Sequence, residues 1–115
     1  MAKFTEVAKT DELKSGMMKS VMAGGREVLL ARVGDTYYAT DGRCPHMKGE
    51  LSRGRLDGTV VTCPRHGSQF DVSSGQMVRW LKGGIVGKMA GVMKRPSNIT
   101  VYEVKIEDDR VLVKI

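Results

Sequence analysis

The strongest constraint in this sequence lies between Cys44 and Gly67. The chain has two cysteines and two histidines, and all four fall in that stretch. They are arranged as Cys44-x-His46, then sixteen residues, then Cys63-x-x-His66. Each half pairs one thiol with one imidazole. A thiolate is a soft, charged donor and a neutral imidazole an uncharged, borderline one. Four such donors on two short loops can hold a metal centre. Pro45 and Pro64 directly follow the cysteines and stiffen both loops by fixing φ. Gly49, Gly54 and Gly67 let backbone approach such a centre where a side chain would collide.

The sequence around these loops reads as short strands divided by turns. Lys3 to Ala8 and Met17 to Ala23 alternate weakly, with a polar connection between them. Gly24-Gly25 marks a hairpin, and Glu27 to Val33 forms an apolar strand. Gly34-Asp35 suits a type II′ turn leading into Thr36 to Thr40. Asp57-Gly58 is a further hairpin signal between Arg55-Leu56 and Thr59 to Thr62. Gln69 to Val72 is a short strand, and Ile99 to Glu107 pairs with Arg110 to Ile115 across Asp108-Asp109. This rhythm indicates an all-β fold, an antiparallel sandwich or barrel. Tyr37 and Tyr38 are expected on one strand, one facing inward and one outward. The half-sites then fall at the tips of hairpin loops.

At 115 residues the chain is one domain with a core of moderate size. Aromatics are only 5%, so aliphatics and the eight methionines must fill that core. Trp80 is read as a core residue rather than an electron conduit. No apolar run reaches signal-peptide or membrane-span length, which leads to the expectation of a soluble, cytoplasmic protein. In that compartment two cysteines, each beside a histidine, are expected to bind metal rather than form a disulfide. Net charge is +6, yet Gln76 to Asn98 alone holds five bases and no acid. A general nucleic-acid coat is therefore disfavoured. The basic segment 79–95 has three readings: a solvated loop, a docking site for an acidic partner, or a membrane- or nucleic-acid-contacting stripe. Its four glycines weaken both the last reading and an isolated helix, although Leu81, Ile85, Met89, Val92 and Met93 are spaced for one or two helical turns.

The pattern Cys44-x-His46 and Cys63-Pro64-x-His66-Gly67, with Phe70-Asp71-x-x-x-Gly75 behind it, resembles the Rieske motif. The resemblance covers most of the chain and is similar in size to the soluble Rieske-type ferredoxins of ring-hydroxylating dioxygenase systems. It implies one Rieske-type domain over 1–115, with a cluster-binding subdomain at about 43–72 and a β-sandwich base from about 1–42 and 73–115. It implies one [2Fe-2S] cluster per chain, Cys44 and Cys63 on one iron and His46 and His66 on the other. The implied function is an electron carrier, not an independent enzyme, moving one electron at a time between a reductase and a terminal oxidoreductase. No nucleophile–base pair is visible, which agrees with that role. A nitrite-reductase-type small subunit, a zinc-binding or nucleic-acid-binding module and a redox sensor are the alternatives. The zinc reading suffers from spacing, since zinc sites usually pair like with like in each half.

The resemblance also bears on the reduction potential. Neutral imidazoles in place of two thiolates raise it to about −150 to +300 mV, against about −400 mV for all-cysteine plant-type clusters. High-potential members carry a disulfide between the loops, at positions that here hold Gly49 and Arg65. Those members also use a serine and a tyrosine hydroxyl near the cluster sulfur. Ser68 matches the first and Phe70 replaces the second. The lower part of the range is therefore expected.

Overall fold

The computed structural model describes residues 3–45, 49–65, 67–79 and 97–115. His46, His66, Trp80 and the glycine-interrupted segment, expected as a long loop with room for one or two helical turns, lie outside the described residues. Eleven strands are described: β1 (Phe4–Lys9), β2 (Met18–Ala23), β3 (Arg26–Val33), β4 (Thr36–Asp41), β5 (Arg55–Asp57), β6 (Val60–Thr62), β7 (Gln69–Asp71), β8 (Met77–Arg79), β9 (Val101–Tyr102), β10 (Val104–Glu107) and β11 (Arg110–Lys114). Single turns of 3-10 helix occur at Thr10–Glu12 and Leu51–Arg53. All the strand pairs are antiparallel, as the short turns require. They form three sheets, β1-β11-β10, β2-β3-β4-β9 and β5-β6-β7-β8.

The sheet containing β3 lies between two cores. Val28 and Leu30 pack with Ala8, Val21, Ala39, Val111 and Val113 on one side. Leu29 and Ala31 pack with Leu51, Val61, Phe70, Val72, Ile99 and both cysteines on the other. Successive strand residues point to opposite faces, so a strand buried on both must be apolar at every position. Val28-Leu29-Leu30-Ala31 meets that demand, and all four are essentially fully buried. The same geometry corrects the expectation for the tyrosines. Tyr37 packs against the first core and Tyr38 against the second, so neither faces away from a core. The Tyr37 hydroxyl donates to the Thr10 carbonyl at 2.8 Å.

Two strand expectations change in detail. Ile99 to Glu107 is not one strand. Tyr102 pairs with Ala39 of β4, whereas Val104 pairs with Val113 of β11. Glu103 is the corner, and its carbonyl accepts the Lys114 N–H at 2.9 Å. The chain thereby switches sheets within one residue, which ties the two sheets of the base together. In the β5–β6 hairpin Asp57 pairs with Val60, so the turn is Gly58-Thr59, one residue later than the Asp-Gly signal suggests.

Leu30→Ala should lower stability by about 2–5 kcal/mol, as deletion of a well-packed core side chain does. Val101→Ala, at an exposed strand position, should stay within about 0.5 kcal/mol. Urea unfolding followed by circular dichroism checks both.

Candidate metal centre

Each cysteine is the last backbone-paired residue before its loop. Cys44 donates its N–H to the Gly49 carbonyl at 2.9 Å, and Cys63 donates to the Ser68 carbonyl at 2.7 Å. Both bonds close on the residue five positions ahead. The first loop is closed further out by the Arg43–Glu50 bridge and by Leu51 N–H on the Gly42 carbonyl at 3.0 Å. Arg43 also pairs with Glu27 and Glu50, and Arg53 with Glu50. These exposed pairs add little individually. The second loop continues the β6–β7 hairpin, where Thr62 opposes Gln69 and their side chains are hydrogen-bonded at 3.1 Å.

Both thiols are buried and free of a disulfide. The loops meet at Gly49. A Cβ there would stand 2.8 Å from Cys63 Sγ and 3.1 Å from Arg65 Cγ. Bare backbone of the first loop thus lies against the sulfur of the second, and a side chain at this point would displace it. Position 49 lies against the Arg65 side chain, and neither residue is a cysteine, so no disulfide links the loops here.

Behind the loops, the Phe70-Asp71-x-x-x-Gly75 run has a clear physical basis. Phe70 is fully buried in the core that holds both cysteines. Its ring offers no hydroxyl donor. The Asp71 carboxylate accepts the Ser73 N–H at 2.9 Å and the Ser73 hydroxyl at 2.5 Å. The hydroxyl is the chief cause, ahead of the N–H, holding the Asp71 carboxyl below its ordinary value of 3.8. Gly75 has φ +79°, and a Cβ on it would meet the Ile99 carbonyl oxygen at 2.2 Å. Its own carbonyl accepts the Ile99 N–H at 2.9 Å. Ser68 is fully buried beside Cys63.

One contributor escaped sequence reasoning. The Arg79 guanidinium donates twice to the Gly67 carbonyl, at 3.1 and 2.9 Å, from the end of β8. Gly67 in turn donates its N–H to the Cys63 carbonyl at 3.2 Å. Gly67 is therefore held through both its N–H and its carbonyl. Apolar patterning hides this role, because the neighbouring Val78 is 53% exposed while Arg79 turns inward. The structure brings together the two cysteine loops; His46 and His66 lie outside the described residues. Among the described residues no group of three or more His, Cys, Asp and Glu gathers as a metal site.

The Rieske [2Fe-2S] domain model matches residues 3–83. This chain belongs to that family. The ferredoxin component of a naphthalene 1,2-dioxygenase system of Pseudomonas putida is 32% identical over 113 residues, covering 98% of this chain and 96% of its own. The ferredoxin of carbazole 1,9a-dioxygenase from Nocardioides aromaticivorans IC177 superposes with a TM-score of 0.80 at 26% identity, covering 96% of this chain and 95% of that one. A chain of the complex of reduced oxygenase and oxidized ferredoxin in carbazole 1,9a-dioxygenase matches with a TM-score of 0.77 at 29% identity, covering 96% and 91%. The family's [2Fe-2S] cluster fits the residues present. Two unoxidised, buried thiols head facing loops, and Gly49 leaves the sulfur of Cys63 uncrowded. The zinc and nucleic-acid-module readings give way to this membership.

Gly49→Ala should give a folded protein that retains iron and sulfide less well than the parent, because the added methyl presses on Cys63 Sγ. Iron and sulfide analysis after reconstitution checks it. A carboxyl with a depressed pKa stabilises the fold above its unfolded value, and that stability is lost as pH falls through the folded value. Asp71→Asn should therefore be less stable at neutral pH and lose less stability between about pH 5 and pH 2 than the parent. The effect should be modest at so exposed a site. Denaturant titrations across that range read it.

Proposed function

We propose that Cys44, His46, Cys63 and His66 hold one [2Fe-2S] cluster, the two thiolates on one iron and the two imidazoles on the other. The protein carries single electrons between a reductase and the terminal oxygenase of a ring-hydroxylating system. The observation that carries this reading is the likeness to a ferredoxin component along nearly the full length of both chains. The matched complex of oxygenase and ferredoxin supports an oxygenase as the receiving partner. When bound, the cluster supplies a one-electron redox site; the chain supplies its containment and its exit.

The burial of Cys44 and Cys63 keeps water from the sulfur ligands. The closures at Gly49 and Ser68 fix the loop backbones, and Arg79 fixes the peptide beyond His66. Domain organisation follows the same logic. Residues 1–115 form one Rieske-type domain, with the cluster-binding part at about 43–72. The small sheet reaches Arg79, which favours including β8 in that part. No helix among the described residues is long and apolar enough to cross a membrane. Two free thiols suit the reducing cytoplasm, and we place the protein there. The basic segment 79–95 is read as facing an acidic partner, since it has five bases and no acid.

The purified oxidised protein should be red-brown and, once reduced, give a rhombic EPR signal of low average g. Cys44→Ser or His66→Ala should abolish both. The midpoint potential should lie nearer about −150 than +300 mV, because Phe70 cannot donate to sulfur and the disulfide positions are Gly49 and Arg65. Protein-film voltammetry measures it, and a midpoint above about +150 mV contradicts the assignment.

A further inference from the structure

A cleft of about 830 Å³ opens beside Cys63, bordered by Arg53, Arg55, Arg65 and Arg79 against one acid, Asp57. A second hollow of about 320 Å³ shares Arg53 and Arg65 with the first and adds Arg43 and Glu50. Several of these charges are already engaged. Arg79 holds the Gly67 carbonyl, and Arg53 pairs with Glu50. Arg55 and Arg65 are exposed, and among the described residues neither makes an ion pair. Two exposed guanidinium groups, neither in an ion pair among the described residues, therefore flank the Cys63-Pro64 turn.

We infer that this arginine collar is a docking surface for a protein partner whose facing surface is rich in carboxylates, with Arg55 and Arg65 as its principal contacts. The inference rests on the reading that the adjoining loops carry the cluster, since that makes the collar the rim of the electron exit. It goes beyond segment 79–95 because Arg53, Arg55 and Arg65 belong to the small sheet and its loops. A guanidinium presents a planar fork that matches a carboxylate with two parallel hydrogen bonds. Uncompensated charge at a rim steers encounter and orients the partner. The cleft is open and mostly polar, which does not suit a small apolar ligand. Among the described residues no aromatic side chain lines either hollow, and the recognition there is carried by charge.

The test uses cluster-loaded protein, two small oxidants and two immobilised polymers. In stopped flow, hexacyanoferrate(III) or tris(phenanthroline)cobalt(III) each accepts one electron from the reduced protein. The anionic oxidant should react more slowly as salt rises, and the cationic one faster. Arg55→Glu should lower the anionic rate at low salt about fivefold or more, whereas Lys14→Glu, an equal charge change on an exposed residue of the β1–β2 connection, should alter it less than about twofold. On immobilised polyglutamate, Arg55→Glu should elute at lower salt than Lys14→Glu. Equal effects of the two substitutions in both measurements would overturn the collar, since net charge alone would then explain them. Stronger retention on oligothymidylate than on polyglutamate at equal salt would overturn it in favour of a nucleic-acid surface. Should the protein fail to load a cluster, the electron-carrier reading fails, and the polyglutamate column still decides the collar.

Discussion

The fold depends on a strand that has no wet face. β3 gives Val28 and Leu30 to one core and Leu29 and Ala31 to the other. Burying one such side chain contributes about 1.5–3 kcal/mol, so a one-residue slip of this strand would exchange both cores at once. The register of β3 with β2 and β4 is thereby set from two sides. Both cysteines sit in the Leu29–Ala31 core, so the base of the site inherits that register rather than establishing one of its own.

The two loops solve the same problem in different ways. Each anchors its cysteine N–H to a carbonyl five residues on. The first is backed by backbone pairing at Arg43 and Glu50, the second by a side chain from a neighbouring strand. A loop carrying a metal ligand has few apolar contacts of its own, so its order must come from hydrogen bonds to the scaffold. Gly49 then sets how closely the loops approach, because the only lining between the backbone of one and the sulfur of the other is hydrogen.

Much of this was legible in the residue order. Cysteine and histidine are rare here and chemically distinctive, so their spacing pointed to the centre without any structure. The hairpins at Gly24-Gly25 and Asp108-Asp109 were marked by turn residues and appear as read. Less legible were features set by a third element. Tyr37 and Tyr38 could be assigned to opposite faces, but not to two cores, because the sequence of one strand does not say what covers its far side. The corner at Glu103 lies inside an unbroken alternating pattern, and only the competing edges of β4 and β11 divide it. Arg79 looked like one more base in a basic stretch, and its role depends on a carbonyl twelve residues away.

The hydrogen bond from Met77 N–H to Asn98 Oδ1, at 2.8 Å, has an evolutionary consequence. With Ile99 N–H on Gly75, it fastens the chain on both sides of residues 80–96 to the same edge. The entropy of closing a chain between two fixed points grows slowly with its length, by about 0.6 kcal/mol for each doubling. Lineages could lengthen, shorten or recharge that interval while the thiol-bearing core stayed as it was. Partner choice and redox chemistry could accordingly diversify on separate schedules within one small domain.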